Sequence, residues 1–532
     1  MPDDRGRADR PDWFDLTALA ALAALSLAFL VWIFVRGGEF GGWEGFVVAD
    51  QGQYLVWIRE AGEHVLIANR FDMRPDDHVF LHPTLLLSGV LSAIGVSEPL
   101  AYLLWKPVGV IVLFWGVWRY VRHRLEGLWQ RRAALVLALF FVPPFAVLSP
   151  LWGETGRGTF DFVSGEIWPA GHFWGYPMSA ICVGITPLVF LWVERALAGR
   201  RRGREIAWAA AAGALVSSLH PWQGAMIVAV VGLAAAWHVL AREAELGETW
   251  RLLWPVLVAP LLPALYLFLL GRTDPSWELG TDNYSTPLDG TMTLRAAIAL
   301  APLALPALLG YRGPASGLGE RILRMWVPLG VALYLFPGTP VRFHAFNGLS
   351  IPLAILAVRG LAPYVERAAG EGGGRRGLAL AAALGACALL VVPGTIDRVR
   401  SARGAVYLNQ QPYNLEPGEG DALDALEAAP GPGGVIAPVD FAALVPYRTG
   451  RETWVATPSW SPEFGERAAA VANLFAGRLP PDQARRFVRS TGARFVVSDC
   501  RTTMDLRPVL EPIARARSYG CATVYEVPQA TA

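Results

Sequence analysis

The stretch Leu16–Val35, LTALAALAALSLAFLVWIFV, decides the fold class of this chain. It contains no charged side chain, and its length matches the roughly 20 apolar residues that a helix needs to cross the hydrocarbon core of a bilayer. Arginine-bearing polar sequence precedes it, and Arg36-Gly37-Gly38 follows without the small-residue pattern of a cleavage site. We therefore expect a retained membrane helix rather than a removed signal peptide.

The composition extends this interpretation to most of the chain. Of its 532 residues, 53% are hydrophobic and 17% are charged, whereas soluble domains carry about 25% charged residues. Further apolar segments approach the length of a span: Leu100–Trp118, Ala133–Leu148, Pro177–Trp192, Ile206–Leu219, Gly224–Leu240, Leu252–Leu270, Leu294–Leu309, Met325–Phe336, Ala345–Ala357 and Leu378–Val392. The sequence predicts a mainly α, polytopic transmembrane helix bundle of about 11 helices, within a range of roughly ten to thirteen.

Arginine clusters lie in alternate connections along this path, and the positive-inside bias places those connections in the cytoplasm. They are Arg5–Arg10, Arg119–Arg132, Arg200–Arg204, Arg242–Arg251, Arg312–Arg324 and Arg359–Arg376. We expect a multi-pass protein of the cytoplasmic (plasma) membrane with a cytoplasmic N-terminus. Its transmembrane domain then covers residues 1–393, with a large first outer loop at residues 37–99, and an extracytoplasmic domain covers residues 394–532.

After Pro393 the hydrophobicity falls, and short apolar runs alternate with helical patterns. The runs are Gly434–Ala437, Thr453–Ala456, Arg494–Val497 and Thr523–Val527, and the helical patterns are Pro462–Phe475 and Pro481–Ser490. This alternation predicts a small α/β domain with a largely parallel sheet. No glycine-rich phosphate-binding pattern follows a strand, which argues against a nucleotide domain. Cys500 and Cys521 end neighbouring strand candidates, and their placement fits either a disulfide or two buried thiols.

The charge distribution limits the function further. The net charge of +1 is spread over the cytoplasmic connections and forms no basic groove, so we exclude nucleic-acid binding. Most histidines map to the outer side, at His64, His78, His82, His172, His220 and His344. This asymmetry indicates a site that faces outward.

The first outer loop begins with a helical pattern from Asp50 to Glu60. Tyr54, Trp57 and Ile58 share one face of that helix, which suits a position on the membrane surface. Asp50 is either a functional carboxylate or, with Gln53 three residues later, half of a capping box. Spacing alone favours the cap.

Farther along this loop, carboxylates and histidines gather at Asp72, Asp76, Asp77, His78 and His82. His78 and His82 have the i, i+4 spacing of a helical metal-ligand pair. Pro83 disfavours helical geometry at His82, however, and Pro75 interrupts the other side. A solvated polar loop is therefore favoured over a metal site formed by Asp76, Asp77, His78 and His82.

Later outer segments supply further candidates. Asp161, Glu166 and His172 stand among Phe160, Phe162, Trp168, Phe173, Trp174 and Tyr176. Aromatic rings beside carboxylates can grip a sugar, so this loop is a candidate acceptor site, although interfacial aromatics also anchor helices. Titratable groups or cations follow at His220, Arg342 and His344, and Lys106 lies just inside a helix. Among them, Arg342 is favoured as a phosphate ligand over a snorkelling side chain.

These segments, in this order, resemble the glycosyltransferase C (GT-C) superfamily, most closely its bacterial polytopic membrane members. The resemblance rests on Asp50–Glu60 with Ile67–Phe71, Gly171–Phe173, His220–Trp222, Val341–Phe343 with Gly348–Pro352, and Val445–Arg451. It implies inverting transfer of a sugar from a polyprenyl-phosphate carrier to an extracytoplasmic glycan, lipid or protein acceptor.

The resemblance also implies residue roles. Asp50 matches the acidic position of the superfamily's first outer loop, where a carboxylate acts as general base. Arg342 is the candidate for stabilising the departing lipid phosphate, with His344 and Lys106 behind it. The wider substrate-binding set adds Tyr54, Asp161, Glu166, His172 and His220. Gln51 stands where many members carry a second acidic residue, which weakens the case for a metal cofactor.

Two other functions compete with glycosyl transfer. A non-catalytic lipid- or glycan-binding membrane protein of the same architecture is the first, and the departure at Gln51 favours it. A transporter ranks last, because ionisable residues at the membrane midplane and internal repeats are not evident.

Overall fold

The structure is a computed structural model. It describes residues 10–46, 48–74, 76–145, 147, 151, 153–199, 202–283, 288–336, 341–370, 373–408 and 413–528. The side chains of residues 48–50, 154–160, 373, 374, 376 and 408 lie outside this description, and those of Asp50 and Phe160 are among them. The chain divides into two compact units. Residues 1–28, 105–267 and 285–401 form the first unit, and residues 29–104, 268–284 and 402–532 form the second.

Long helices dominate the chain up to residue 408. Outside the first loop they are Trp13–Arg36, Glu98–Leu103, Trp105–Arg124, Leu128–Phe140, Gly153–Ile167, Pro177–Leu197, Arg202–Leu219, Pro221–Leu240, Leu246–Val258, Leu261–Thr273, Gly290–Leu309, Leu318–Leu335, Ser350–Ala369 and Gly373–Leu408. Each predicted span overlaps at least one of these helices. The domain boundary predicted at residue 393 falls inside the last of them.

By length and hydropathy, six of the described helices are able to cross a membrane: Trp13–Arg36, Glu98–Arg124, Pro177–Leu197, Pro221–Leu240, Gly290–Leu309 and Gly377–Tyr407. Leu246–Val258 and Leu261–Thr273 bend by 42° and together bring the number to as many as seven. The chain is thus a mainly α, multi-pass membrane protein, which confirms the predicted class. The crossing count of about 11 and the sidedness of the loops stay predictions.

Within the first unit, small residues let two helices touch through their backbones. A Cβ atom on Gly184 would lie 2.5 Å from the Val112 carbonyl oxygen, and one on Gly116 would clash with the Gly184 carbonyl. Such contacts are how membrane helices gain close van der Waals packing. Two turns before Gly116 in the helix Trp105–Arg124, a Cβ on Gly109 would lie 2.8 Å from the ring of Phe173. This helix therefore also supports the 3-10 helix Pro169–Trp174.

The second unit contains the strands. Besides Glu98–Leu103, its helices are Val48–His64, Pro83–Ala93, Pro275–Asn283, Pro417–Ala428, Val439–Ala442, Val445–Thr449, Phe464–Phe475, Pro481–Thr491 and Arg507–Leu510. A four-stranded sheet has the order Val435–Ile436, Phe495–Ser498, Ala522–Glu526, Arg515–Tyr519, and Glu39–Phe40 pairs with Asn414–Leu415. The α/β character of the C-terminal region is as predicted.

The expectation of a largely parallel sheet is wrong. Only Val435–Ile436 and Phe495–Ser498 run parallel, and the other two pairs of the four-stranded sheet are antiparallel. The last two strands form a hairpin, and its turn places Gly520 at a φ of 56°. The strand Arg515–Tyr519 escaped prediction because its sequence, RARSY, lies at the sheet edge and has no apolar run.

An apolar core and a disulfide stabilise this C-terminal region. Val471, Val488, Val496 and Leu510 are among the buried core side chains between the sheet and its helices. Cys500 and Cys521 are joined in a disulfide that ties the segment after one strand to the hairpin turn. A closed loop of this size stabilises a fold by about 3 kcal/mol in the chain-entropy model.

The helix Val48–His64, which we call the loop helix, packs inside the second unit. Ile58 is fully buried and Trp57 is nearly so. The ring of Trp57 lies 5.1 Å from Phe80, 6.0 Å from Trp277 and 5.3 Å from Trp460, measured between centroids. The predicted position of this face on the membrane surface is therefore wrong, because aromatic partners from distant segments cover it.

Candidate functional site

Four candidate residues from separate segments meet in the first unit. Glu166 ends the helix Gly153–Ile167, His172 lies in the 3-10 helix Pro169–Trp174, His220 immediately precedes the helix Pro221–Leu240, and His344 lies in the 3-10 helix Arg342–Phe346. Proline at the first position fixes where two of these helices begin, since its ring suits the first turn and needs no hydrogen-bond acceptor. With Asn347 they form what we call the histidine cluster.

An ion pair lies at the centre of the histidine cluster. His344 Nδ1 is 2.8 Å from Glu166 Oε1. Burial opposes ionisation of Glu166, but the neighbouring His344 outweighs it and holds the pKa of Glu166 below its usual value. Glu166 is therefore held as a carboxylate that faces the His344 ring.

The two other histidines of the cluster are neutral. Burial lowers the pKa of His172 to about 4 and that of His220 to about 3. The rings of His220 and His344 lie 4.8 Å apart, so the positive charge of His344 further disfavours protonation of His220. At neutral pH each of these imidazoles has one nitrogen that donates a hydrogen bond and one that accepts a hydrogen bond.

Asn347 joins the cluster to two helices, and no sequence pattern indicated a role for it. Its Nδ2 donates to Ser179 Oγ at 2.9 Å and lies 3.3 Å from His220 Nε2. Its backbone carbonyl accepts a hydrogen bond of 2.9 Å from Gln223 Nε2. Amide and hydroxyl side chains in apolar helices become candidate site residues only when the fold brings them beside charged residues.

Several buried polar atoms of this cluster have no hydrogen-bond partner among the described residues. They are His172 Nε2, His220 Nδ1, Gln223 Oε1 and Asn347 Oδ1. Buried polar atoms are almost always paired in folded proteins, and leaving one unpaired costs about 1–3 kcal/mol. Their concentration in one place indicates a site prepared for hydrogen bonds to a hydroxyl-bearing ligand or to water.

The candidate cations Arg342 and Lys106 also belong to the first unit. Arg342 is buried and its Nη1 donates to the carbonyl oxygens of Tyr334 at 3.0 Å and Phe336 at 3.1 Å. These contacts satisfy the carboxyl end of the helix Leu318–Leu335 and fix the guanidinium plane. Lys106 is also buried and donates to the carbonyl of Ser26, next to the Leu25 carbonyl that accepts from Trp174 Nε1.

The remaining candidates of the second loop do not form an open groove. Asp161 pairs with Arg398 of the helix Gly373–Leu408. Trp168, Phe173 and Trp174 are buried, so they cannot present an aromatic wall to a sugar. Phe162 is exposed and stacks on Phe343 at 5.7 Å. The predicted aromatic groove is wrong in this respect, because these rings pack as core.

In the second unit, the loop helix already includes position 50, and its first residue is Val48. Asp50 therefore lies in the first turn rather than at the cap, and Gln53 accepts a hydrogen bond from Trp460 Nε1. The capping box predicted from spacing is wrong, since neither residue takes the required place. Tyr54 stacks on Tyr102 at 5.8 Å in this same unit.

The predicted metal pair His78 and His82 does not share a helix. His82 precedes the helix Pro83–Ala93 in extended conformation and its Nδ1 lies 3.0 Å from Thr84 Oγ1. Asp76 accepts hydrogen bonds from the Asn69 amide at 2.5 Å and from Ser276 Oγ at 2.7 Å. His78 Nε2 instead lies 3.1 Å from Glu60 Oε2. Pro83 terminates the extended segment, as its effect on the preceding residue requires.

Comparisons by sequence give no relative, since no family model and no curated protein matches the chain. Comparisons of structure give several. The oligosaccharyltransferase of Archaeoglobus fulgidus matches with a TM-score of 0.53 at 13% identity, over 92% of this chain and 70% of that one. ArnT from Cupriavidus metallidurans, solved with undecaprenyl phosphate, matches with a TM-score of 0.52 at 12% identity, over 96% of this chain and 97% of that one.

The arabinofuranosyltransferase AftD from Mycobacteria matches with a TM-score of 0.55 at 15% identity, over 99% of this chain but 40% of that one. The chain thus has the fold of GT-C membrane glycosyltransferases, as the sequence resemblance implied. At identities this low the likeness establishes the fold and leaves the activity to be argued from the site.

Proposed function

We propose that this chain is a membrane glycosyltransferase that transfers a sugar from a polyprenyl-phosphate carrier to an acceptor, with inversion at the anomeric carbon. The observation that carries the proposal is the likeness in fold, over almost the whole of both chains, to ArnT solved with undecaprenyl phosphate. A polar site in a multi-pass membrane protein suits a donor whose lipid stays in the bilayer.

In this reaction the acceptor hydroxyl attacks the anomeric carbon while the bond from that carbon to the phosphate oxygen breaks. Asp50 takes the hydroxyl proton, and the carrier phosphate departs with its bonding electrons. Asp50 belongs to the first turn of the loop helix, where backbone N–H groups and the helix dipole favour a negative charge.

The departing phosphate needs a cation, and Arg342 is our candidate. Its orientation is fixed by the carbonyls of Tyr334 and Phe336, so little side-chain entropy remains to be lost when an anion binds. His344 and Lys106 are the next candidates. The positive charge of His344 is already balanced by Glu166 at 2.8 Å, which ranks it below Arg342.

The histidine cluster suits the recognition of sugar hydroxyls. Hydroxyls both donate and accept, and the unpaired nitrogens of His172 and His220 and the amide oxygens of Gln223 and Asn347 offer both functions. Neutral imidazoles serve this purpose better than imidazolium, which only donates. We assign Glu166, His172, His220 and His344 to this binding role.

The test is sugar transfer by the purified protein and its Asp50→Asn variant, with a panel of polyprenyl-phosphate sugars. Losing a positioned base costs about a hundred to ten thousand-fold in rate. The matched control is Asp424→Asn, since the Asp424 side chain is 72% exposed. It should transfer sugar at the wild-type rate, and both variants should keep the wild-type thermal stability.

A non-catalytic carrier or glycan binder is the second candidate, and Gln51 favours it. The Gln51 side chain accepts a hydrogen bond from the Glu44 backbone N–H at 2.8 Å and donates one to the Glu44 carbonyl. At the position where many GT-C members carry a second acidic residue, this chain thus has a side chain that binds its own backbone. Undecaprenyl phosphate binding without transfer of any tested sugar, or equal transfer by wild-type and Asp50→Asn proteins, would favour this candidate over the enzyme.

A further inference from the structure

Glu60, His64 and His78 form a compact group of possible metal ligands in the first outer loop. One ligand atom from each residue lies within 4.8 Å of the other two. Glu60 and His64 share the loop helix at i, i+4 spacing, and His78 returns from the loop. An antiparallel bridge between Ile67 and Phe80 holds that return in place. The group is thus fixed by a helix and a strand-like pairing.

The geometry already approaches that of a zinc site. His78 Nε2 and Glu60 Oε2 are 3.1 Å apart, and the His64 and His78 ring centroids are 4.2 Å apart. In a tetrahedral site with bonds of about 2.1 Å, ligand atoms lie about 3.4 Å from each other. The 3.1 Å between the Glu60 and His78 atoms is close to this spacing, and the His64 ligand atom lies within 4.8 Å of both.

Neighbouring groups orient the carboxylate. Glu60 is buried, and its second oxygen accepts a hydrogen bond of 2.9 Å from Arg70 Nε. Arg70 Nη1 in turn donates to Glu452 at 2.9 Å, so its charge is balanced within the network. Ligating carboxylates usually have such a second partner, which fixes the oxygen that faces the metal.

The donor set selects the class of metal. Two imidazoles and one carboxylate suit Zn²⁺ and similar transition metals, whereas Mg²⁺ and Ca²⁺ prefer oxygen ligands throughout. The His64 side chain is 43% exposed, so solvent reaches the group and can supply a fourth ligand. This arrangement gives an ion both a path of entry and an open coordination position.

We propose that Glu60, His64 and His78 bind one Zn²⁺ ion that ties the end of the loop helix to the segment before the helix Pro83–Ala93. The site holds the first outer loop together. It differs from the His78 and His82 pair suggested by sequence spacing, and it does not depend on whether the chain transfers sugars.

The experiment is a titration of the full-length, chelator-treated protein in detergent with Zn²⁺, followed by metal quantification after desalting. The wild-type protein should retain one Zn²⁺ per chain and unfold several degrees higher with the metal. His64→Ala and His78→Ala should bind at least ten times more weakly. Because the His64 side chain is exposed, His64→Ala should unfold like the wild-type protein in the absence of metal.

Two control variants separate this site from other histidines. His82→Gln removes the neighbouring loop histidine and His220→Gln alters the histidine cluster, and each should keep the wild-type zinc stoichiometry and affinity. The proposal is overturned if the wild-type protein retains no zinc, or if His64→Ala and His78→Ala retain it as tightly as the wild type. Displacement of Zn²⁺ by equimolar Mg²⁺ or Ca²⁺ would also overturn it.

Discussion

The histidine cluster and the Glu60, His64 and His78 group use the same residue types under opposite conditions. The cluster draws its members from four distant segments and buries His172 and His220, whereas the loop group draws its members from one short stretch and leaves the His64 side chain 43% exposed. Burial makes His172 and His220 neutral and makes their unpaired nitrogens costly. Exposure leaves the loop group accessible to an ion. The protonation state and the ligands available to a histidine thus depend on its surroundings more than on its residue type.

Acidification should separate the two regions most strongly. The pKa is about 3 for His220 and about 4 for His172, against 6.5 for an ordinary histidine. Between these values the unfolded chain binds protons that the folded protein does not, so stability falls as pH drops below about 6.5. From pH 7 to pH 5 each histidine should cost about 2 kcal/mol. The measurement is the free energy of unfolding in detergent at pH 5, 6 and 7.

The variant His220→Gln should lose about half of this acid sensitivity, because glutamine does not titrate. His64→Ala provides the control, because it removes a histidine outside the histidine cluster and should leave the acid sensitivity that His220 causes unchanged. Glu166 does not interfere, since its lowered pKa confines its loss of stabilisation to pH below about 4. An unchanged pH profile in His220→Gln would contradict the assignment of neutral, buried histidines.

A smaller effect should come from Arg342, which tests whether the unit that holds the histidine cluster also binds the carrier phosphate. Arg342→Ala should weaken undecaprenyl phosphate binding about tenfold, and Arg342→Lys should restore part of it, since lysine keeps the charge but loses the planar fork. Titration of the purified proteins measures both. If Arg342 only satisfies the carbonyls of Tyr334 and Phe336, Arg342→Ala unfolds earlier but binds the carrier like the wild type.

The smallest effect should come from Arg70, beside the loop group. Arg70→Lys cannot serve Glu60 and Glu452 with a planar fork, so zinc affinity should fall only severalfold. The Arg70 side chain is 21% exposed, and the loss of stability should stay near or below about 1 kcal/mol. Zinc titration and thermal unfolding measure the two effects. A loss of zinc as complete as in His78→Ala would make Arg70 essential to the site rather than supportive.

The sequence predicted the membrane bundle well because the signal is local. A segment such as Leu16–Val35 needs no partner to be recognised, and the structure has a helix there from Trp13 to Arg36. The candidate site was predicted in part. Glu166, His172, His220 and His344 were identified singly by residue type and side of the membrane, but their meeting depends on tertiary packing that spacing does not encode.

The loop group shows the converse failure. The sequence predicted a helix only from Asp50 to Glu60, so the i, i+4 relation of Glu60 and His64 appears only in the structure, where the helix extends to His64. The equal spacing of His78 and His82 instead spans extended chain. Pro83 correctly indicated that His82 is not helical. The capping box failed for a related reason, since the helix begins two residues before Asp50 and leaves no cap at that position.

The disulfide between Cys500 and Cys521 also bears on the order of steps in the biogenesis of the protein. Such bonds form in an oxidising compartment and not in the cytosol. If the C-terminal region is exported, as the arginine distribution predicts, its hairpin is locked only after translocation, and the newly made chain crosses the membrane before this constraint exists. A host that lacks thiol oxidation outside its cytoplasm would then yield an inserted bundle with an unlocked sheet, so expression strains should be chosen by their oxidative folding capacity.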